Sequence, residues 1–219
     1  MKKWIFFDID NTLFYSREHS EHARKNAIQA MIKRGLKASE KEAYEELVKI
    51  VERLGSNSDA HFNELVKKFN GVADWDIVTA GVVAYQEVAK YYLKPYSGVV
   101  RTLEELKKRG HRLGVISNGR SVKQREKLIK LGLQEFFEVV VISEDIGVRK
   151  PEKEIFEKAL ELAKCSARDA IMVGDKESDI KPAKELGMVT VSSGECGADY
   201  KIDSHRFEEM LGVIDEIGD

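Results

Sequence analysis

Cysteine and proline are scarce in this chain, with two and three residues respectively among 219. Cys165 and Cys196 stand outside any paired-ligand spacing. That excludes a cysteine-built zinc site and the disulfide framework of a small secreted domain. A reduced, cytoplasmic setting is the expectation, with a single disulfide between the two left open. A basic excess is also missing. Lys and Arg number 36 against 38 Asp and Glu, for a net charge of −2, and the cations are spread along the chain. This argues against a surface dedicated to nucleic acid or another polyanion. Long apolar runs are absent too. Only Trp4 to Phe7 separate Lys2-Lys3 from Asp8, far short of a signal peptide's apolar segment. No stretch approaches the length of a membrane span, so no membrane partner is expected. Glutamine is rare, at four residues, while Lys and Glu are abundant, a bias shared with heat-adapted proteins.

What the chain does have, near its start, is Phe6-Phe7-Asp8-Ile9-Asp10-Asn11-Thr12-Leu13-Phe14. The apolar run Trp4 to Phe7 reads as a buried strand. Continued strand geometry would put Asp8 and Asp10, two residues apart, face to face where the strand runs out. Like charges held that close raise one pKa, attract a cation, or both. Folding alone gives no reason to build such a pair.

The pattern that follows divides the chain. From Ser16 to residue 94 the periodicity is helical, with stripes such as Tyr44, Leu47, Val48, Val51 and Leu54, or Phe62, Leu65, Val66 and Phe69. Breaks at Gly35, at 55–58 and at Gly71 give about four helices, enough for a small bundle. From Pro95 onward, strands at 111–116, 139–142, 170–173, 189–191 and 200–202 alternate with helices. This spacing implies an α/β fold with a parallel sheet covered on both faces. The expected organisation is an α/β core of residues 1–15 and 95–219, with a helical domain of residues 16–94 inserted in it. One core helix is expected to open at Pro151, the favoured first position for proline. Another is expected from Ile180 to Leu186, stopped by Gly187.

In parallel sheets functional groups gather at the carboxyl ends of the strands. Here the first strand end carries Asp8 and Asp10, and the second Ser117-Asn118-Gly119. Arg149-Lys150-Pro151 follow the third, and the fourth opens Gly174-Asp175-Lys176-Glu177-Ser178-Asp179. Together they suit phosphoryl transfer, which needs a nucleophile, a proton donor for the leaving oxygen and positive charge around the phosphoryl group. Asp8 can attack phosphorus and form an aspartyl phosphate. Asp10 can protonate the departing alkoxide and then deprotonate the attacking water. Asp8 and Asp175 offer oxygen ligands only, which suits Mg²⁺. Lys150 adds a fixed positive charge. The Ser117 hydroxyl, with main-chain N–H groups near Asn118 and Gly119, can hold phosphoryl oxygens. Thr12 is expected to brace the turn carrying Asp10. Bland roles are expected elsewhere. Arg17, His19, His22 and Arg149 read as solvated, Asn57, Asp59 and His61 as a helix start, and Trp75 and Tyr91 as packing residues. Neither cysteine has a neighbour in sequence that would make it a nucleophile.

These four segments, in this order, resemble the motifs of the haloacid dehalogenase (HAD) superfamily. Tyr96-Ser97-Gly98 looks like the return from an inserted domain into the core. The resemblance implies a Rossmann-like, three-layer parallel-sheet core with the first motif on the central strand, and a helical-bundle cap of the C1 type. It implies Mg²⁺ held by the Asp8 carboxylate, the Asp10 main-chain carbonyl and the Asp175 carboxylate. Asp179 would support the metal through water or Lys150. The implied function is that of a Mg²⁺-dependent phosphatase for a small phosphorylated metabolite, with the cap closing over the strand ends and choosing the substrate. Phosphoglycolate, triose or sugar phosphates and nucleoside monophosphates all remain open. So do a phosphomutase, a 2-haloacid dehalogenase, which has no use for the acidic fourth motif, and a non-catalytic binding module, which would be expected to have lost a reactive group. Oligomeric state is not legible.

Overall fold

The computed structural model describes residues 2–55 and 58–218, without the side chains of residues 17–19 and 89–92. Asn57 and the side chains of Arg17, His19 and Tyr91 therefore lie outside the described residues. The chain forms two compact units, Ser16–Leu93 on one hand and Met1–Tyr15 with Lys94–Asp219 on the other.

The first unit is helical: α1 (Ser16–Lys33), α2 (Glu40–Leu54), α3 (His61–Asn70) and α4 (Trp75–Tyr92). Local chemistry sets the ends. Before α2, Ser39 Oγ accepts the Glu42 N–H at 3.3 Å while the Glu42 carboxylate accepts the Ser39 N–H at 3.0 Å, a reciprocal cap. Gly71, at φ 82°, closes α3 in the left-handed conformation. The Asp74 carboxylate accepts the N–H groups of Asp76 and Ile77 to start α4. The helices bury one apolar cluster that includes Met31, Leu47, Ile50, Leu65, Val66 and Ile77, the face their 3.6-residue period marks. Trp75 is an exception to the packing role expected of it. It is 66% exposed, because it sits one turn-start ahead of the buried stripe that begins at Ile77.

The second unit holds six parallel strands: β1 (Trp4–Phe7), β2 (Arg112–Ser117), β3 (Val139–Ile142), β4 (Ala170–Gly174), β5 (Val189–Ser192) and β6 (Tyr200–Lys201). Their order is β3-β2-β1-β4-β5-β6. The helices are α5 (Val99–Lys108), α6 (Ser121–Lys130), α7 (Ser143–Ile146), α8 (Lys153–Ala163), α9 (Glu177–Glu185) and α10 (Glu209–Gly218). Strand β1 is internal, with Phe7 level with Val115 on one side and Val173 on the other. Alternation sends its two phenylalanines to opposite faces. Phe6 joins Ile155 and Phe156 of α8, while Phe7 lies against Phe137 and Phe207 at centroid distances of 6.1 and 6.2 Å. The result is a three-layer α/β fold. The chain fills the β2–β3 side of β1 first and then crosses to β4. Such a reversal leaves a crevice at the carboxyl end of the central strand.

Two helix starts differ from expectation. Helix α8 begins at Lys153, because Glu152 is extended at its N-cap (ψ 136°) and Pro151 falls in the preceding turn. Helix α9 begins at Glu177, three residues before the expected Ile180. Its first turn is polar and carries no apolar signal; the Asp179 carboxylate instead caps the Lys176 N–H at 3.2 Å. Among the described residues no helix is long and apolar enough to cross a membrane, and both cysteines are free thiols.

Gly114 in β2 is required by packing: a Cβ there would lie 2.6 Å from the Phe6 ring. Gly114→Ala is expected to cost about 1–3 kcal/mol by overpacking, read as a lower urea midpoint with an unchanged slope.

Candidate active site

The ends of β1, β2 and β4 and the loop before α8 bring their polar groups together. Asp8 extends the β1 ladder by one bond, its N–H donating to the Val173 carbonyl at 2.9 Å. The chain then leaves strand geometry. Asn11 adopts φ 60°, Leu13 N–H donates to the Ile9 carbonyl at 3.1 Å, and Asp10 pairs with Phe14 in a short bridge. The expected face-to-face pair on one strand is thus corrected: Asp8 and Asp10 lie beyond the strand, and each meets its own lysine. The bracing expected of Thr12 is main-chain work. Its buried hydroxyl has no hydrogen-bond partner among the described residues.

Lys150 is the centre of the site. Its side chain is 3% exposed, and Nζ lies 2.8 Å from Asp8 Oδ1, 2.6 Å from Asp179 Oδ1 and 2.9 Å from the Ile116 carbonyl. The ammonium's three protons therefore have three acceptors. Burial opposes its charge, but the carboxylates of Asp8 and Asp179 outweigh burial and hold Lys150 above its usual pKa. One lysine does not balance two buried carboxylates. Burial pushes Asp8 up, Lys150 pulls it down, and the charges of Asp179 and Asp10 push it up again, leaving it at about 6.

The 117–119 loop has a different division of labour from the one expected. The Asn118 side chain clamps Lys150, with Nδ2 donating to the Lys150 carbonyl at 2.9 Å and Oδ1 accepting the Lys150 N–H at 2.8 Å. The Gly119 N–H donates to Ser143 Oγ at 2.9 Å, a partner it would give up to act as a phosphoryl donor. Ser117 Oγ is buried and lies 2.7 Å from Gln124 Nε2. Asp10 is held from α6: Lys127 Nζ is 2.7 and 2.8 Å from its two carboxylate oxygens, and Gln124 Nε2 is 3.1 Å from Oδ2.

Carboxylate oxygens of Asp8, Asp175 and Asp179 lie within 4.8 Å of one another. This oxygen-only, negatively charged set matches the chemistry of a hard divalent cation. Asp179 also accepts from Lys150 and from the Lys176 N–H. Two glycines make room for the cluster. A Cβ on Gly174 would meet Asp179 Cβ at 2.4 Å, and one on Gly194 would meet the Asp175 carbonyl oxygen at 2.2 Å. Arg149 and His22 are exposed, as expected of them.

Gln124, Lys127, Ser143 and Gly194 were not singled out by sequence reasoning. Only Gln124 carries a readable signal. It shares an i, i+4, i+7 stripe with Leu128 and Leu131, where an apolar residue belongs.

The doubly covered parallel sheet, with an acidic cluster and a buried lysine at the switch point, defines a class. The chain belongs to the haloacid dehalogenase-like hydrolase family, whose model matches residues 5–192. It is 41% identical to the glyceraldehyde 3-phosphate phosphatase of Methanopyrus kandleri, over 99% of each chain. It is 45% identical to the Methanocaldococcus jannaschii protein of the same name, over 87% of this chain and 84% of that one. The crystal structure of a HAD phosphatase from Thermococcus onnurineus is similar at TM-score 0.70 and 29% identity, covering 98% of both chains. The fold is also that of the HAD-hydrolase YfnB from Bacillus subtilis, solved bound to magnesium, at TM-score 0.72 and 22% identity over 98% of this chain and 99% of that one.

Replacing Lys150 by Met leaves two buried carboxylates facing each other. In the absence of divalent cation, Lys150→Met is expected to lose about 3–5 kcal/mol of stability at neutral pH. Asp8, held at about 6 even with Lys150 beside it, is raised further without the lysine. The variant therefore gains a proton on folding at pH values where the wild type does not, and the deficit shrinks as pH falls from that higher value toward 6. Denaturant titrations of both proteins at pH 7.5 and pH 5 measure this; an equal deficit at the two values contradicts it.

Proposed function

We propose that this chain is a Mg²⁺-dependent phosphatase for a small phosphorylated metabolite, with glyceraldehyde 3-phosphate as the substrate. The observation that carries this reading is the buried Lys150 between Asp8 and Asp179, at the strand edge where Ser117, Asp10 and Asp175 also converge. The substrate is taken from the relatives that match most of the chain at 41% and 45% identity. Two free thiols suit a reducing, cytoplasmic setting.

Asp8 is the nucleophile in this reading. Its carboxylate attacks phosphorus, and the bond to the ester oxygen breaks. Asp10 delivers a proton to that oxygen as it leaves, and the alcohol departs. Water then attacks the phosphorus of the aspartyl phosphate, giving its proton to Asp10. Inorganic phosphate is released and the Asp8 carboxylate is restored. Lys150, held by Asn118, and the Ser117 hydroxyl face the negative charge of the phosphoryl group. The Asp8 and Asp175 carboxylates and the Asp10 carbonyl would hold Mg²⁺, which would offset repulsion between the anionic nucleophile and the anionic ester. Dehalogenation needs neither an acidic cluster nor a proton carrier, so the engaged Asp10 and the three carboxylates favour the phosphatase over that alternative.

A Mg²⁺-dependent phosphate-release screen over metabolite monoesters, ranked by kcat/KM, is expected to place glyceraldehyde 3-phosphate at or near the top. Asp8→Asn is expected to remove release from every ester in the panel. Substantial residual turnover in that variant rejects Asp8 as nucleophile, and a flat null in the wild type rejects the phosphatase reading.

A further inference from the structure

Gln124 occupies a place in α6 that its apolar stripe claims, and it is 1% exposed. The stripe alone calls for an apolar side chain there. The glutamine instead leaves its buried Oε1 without a hydrogen-bond partner among the described residues, an arrangement that costs about 1–3 kcal/mol. All of its polar contacts are on the other side of the carboxamide. Nε2 lies 2.7 Å from Ser117 Oγ, 2.9 Å from the Asn118 carbonyl and 3.1 Å from Asp10 Oδ2.

Three oxygens thus surround a nitrogen with two protons. The carbonyl and the carboxylate can only accept, which assigns the NH₂ group to this side. The Ser117 hydroxyl can accept from Nε2 but cannot donate to it. Its own hydrogen is therefore turned away from Gln124. Lys127, three residues further along the same helix, holds both oxygens of Asp10 at 2.7 and 2.8 Å. Asp10 thus keeps an anchor without Gln124, whereas Gln124 is the donor that orients Ser117.

We infer that Gln124 is a positioning residue: its amide nitrogen holds the Ser117 hydroxyl so that the serine hydrogen is presented to a phosphoryl oxygen. This inference rests on the phosphatase reading above, which identifies Ser117 and Asp10 as groups that meet the substrate.

The test is a double-mutant cycle of Gln124→Leu and Ser117→Ala in the full chain with Mg²⁺, following kcat and KM for phosphate release. Gln124→Leu is expected to lower kcat roughly 10- to 100-fold, the scale of a misplaced catalytic contact. KM should stay within about threefold, since Lys150 still binds the phosphoryl group in the ground state. In the Ser117→Ala background the same change should cost about twofold or less, because the group it orients is gone. Additive losses, or a folded Gln124→Leu with unchanged kcat, overturn the proposal. If Gln124→Leu does not fold, Gln124→Met, which fills similar space, takes its place; failure of both assigns Gln124 to structure alone and also overturns it. If the wild type releases no phosphate, the phosphatase reading has failed, and the inference is judged separately by orthovanadate affinity. Gln124→Leu should then weaken vanadate about 10-fold, the scale of one lost hydrogen bond, and Ser117→Ala should absorb that loss; unchanged affinity overturns the inference.

Discussion

The buried ammonium of Lys150, shared between Asp8 and Asp179, is the contact that the rest of the site is built around. Taking these charges out of water is expensive, and such clusters are poor sources of net stability. The surroundings are arranged to make it tolerable. Ile116 supplies a third acceptor, Asn118 clamps the Lys150 main chain from both sides, and Gly174 leaves space for Asp179. Even so, the charges do not balance. One lysine faces two buried carboxylates with a third, Asp175, beside them, and Asp8 is held well above the usual carboxylate range. The imbalance is what makes a divalent cation a natural occupant.

A fourth carboxylate, Asp10, lies outside this cluster, although its charge still acts on Asp8. The strand ends before it, a left-handed Asn11 turns the chain, and α6 reaches across to hold it with Lys127 and Gln124. Helix α6 starts directly after the 117–119 loop. The 117–119 loop and the side chains that hold Asp10 therefore belong to one continuous segment. In the proposed reaction this lets a single rigid element set the position of an oxyanion donor and a proton carrier together.

The apolar strands were legible because they are short, mostly buried and rich in branched side chains. Val139–Ile142 is read from the pattern as it stands in the structure. Elements without an apolar period were not legible. The polar first turn of α9 and the single turn of α7 carry none, and Pro151 sits in a turn although helix starts favour it. Trp75 shows the complementary failure. Size and apolarity suggest burial, but its place ahead of the buried stripe decides otherwise. In the site, Asp8, Ser117, Lys150 and Asp175 stand out because each follows a strand in an order the chain displays. Gln124 and Lys127 lie inside a helix whose other polar residues face solvent. The stripe shared with Leu128 and Leu131 hints that Gln124 turns inward, but nothing in one dimension says that Lys127 reaches Asp10.

The sequence by itself determined the fold class, the four strand-end segments and the family they resemble, since these depend on residue type, period and order along the chain. Only the tertiary structure decided which partner each functional group meets. It paired Lys150 with Asp8 and Asp179 across 142 residues for the former, turned the Gly119 N–H to Ser143, and gave Asp10 to α6. The physical reason is that hydrogen bonds and ion pairs act over about 3 Å. Which groups come that close is set by strand order and helix rotation, and neither is written in local spacing.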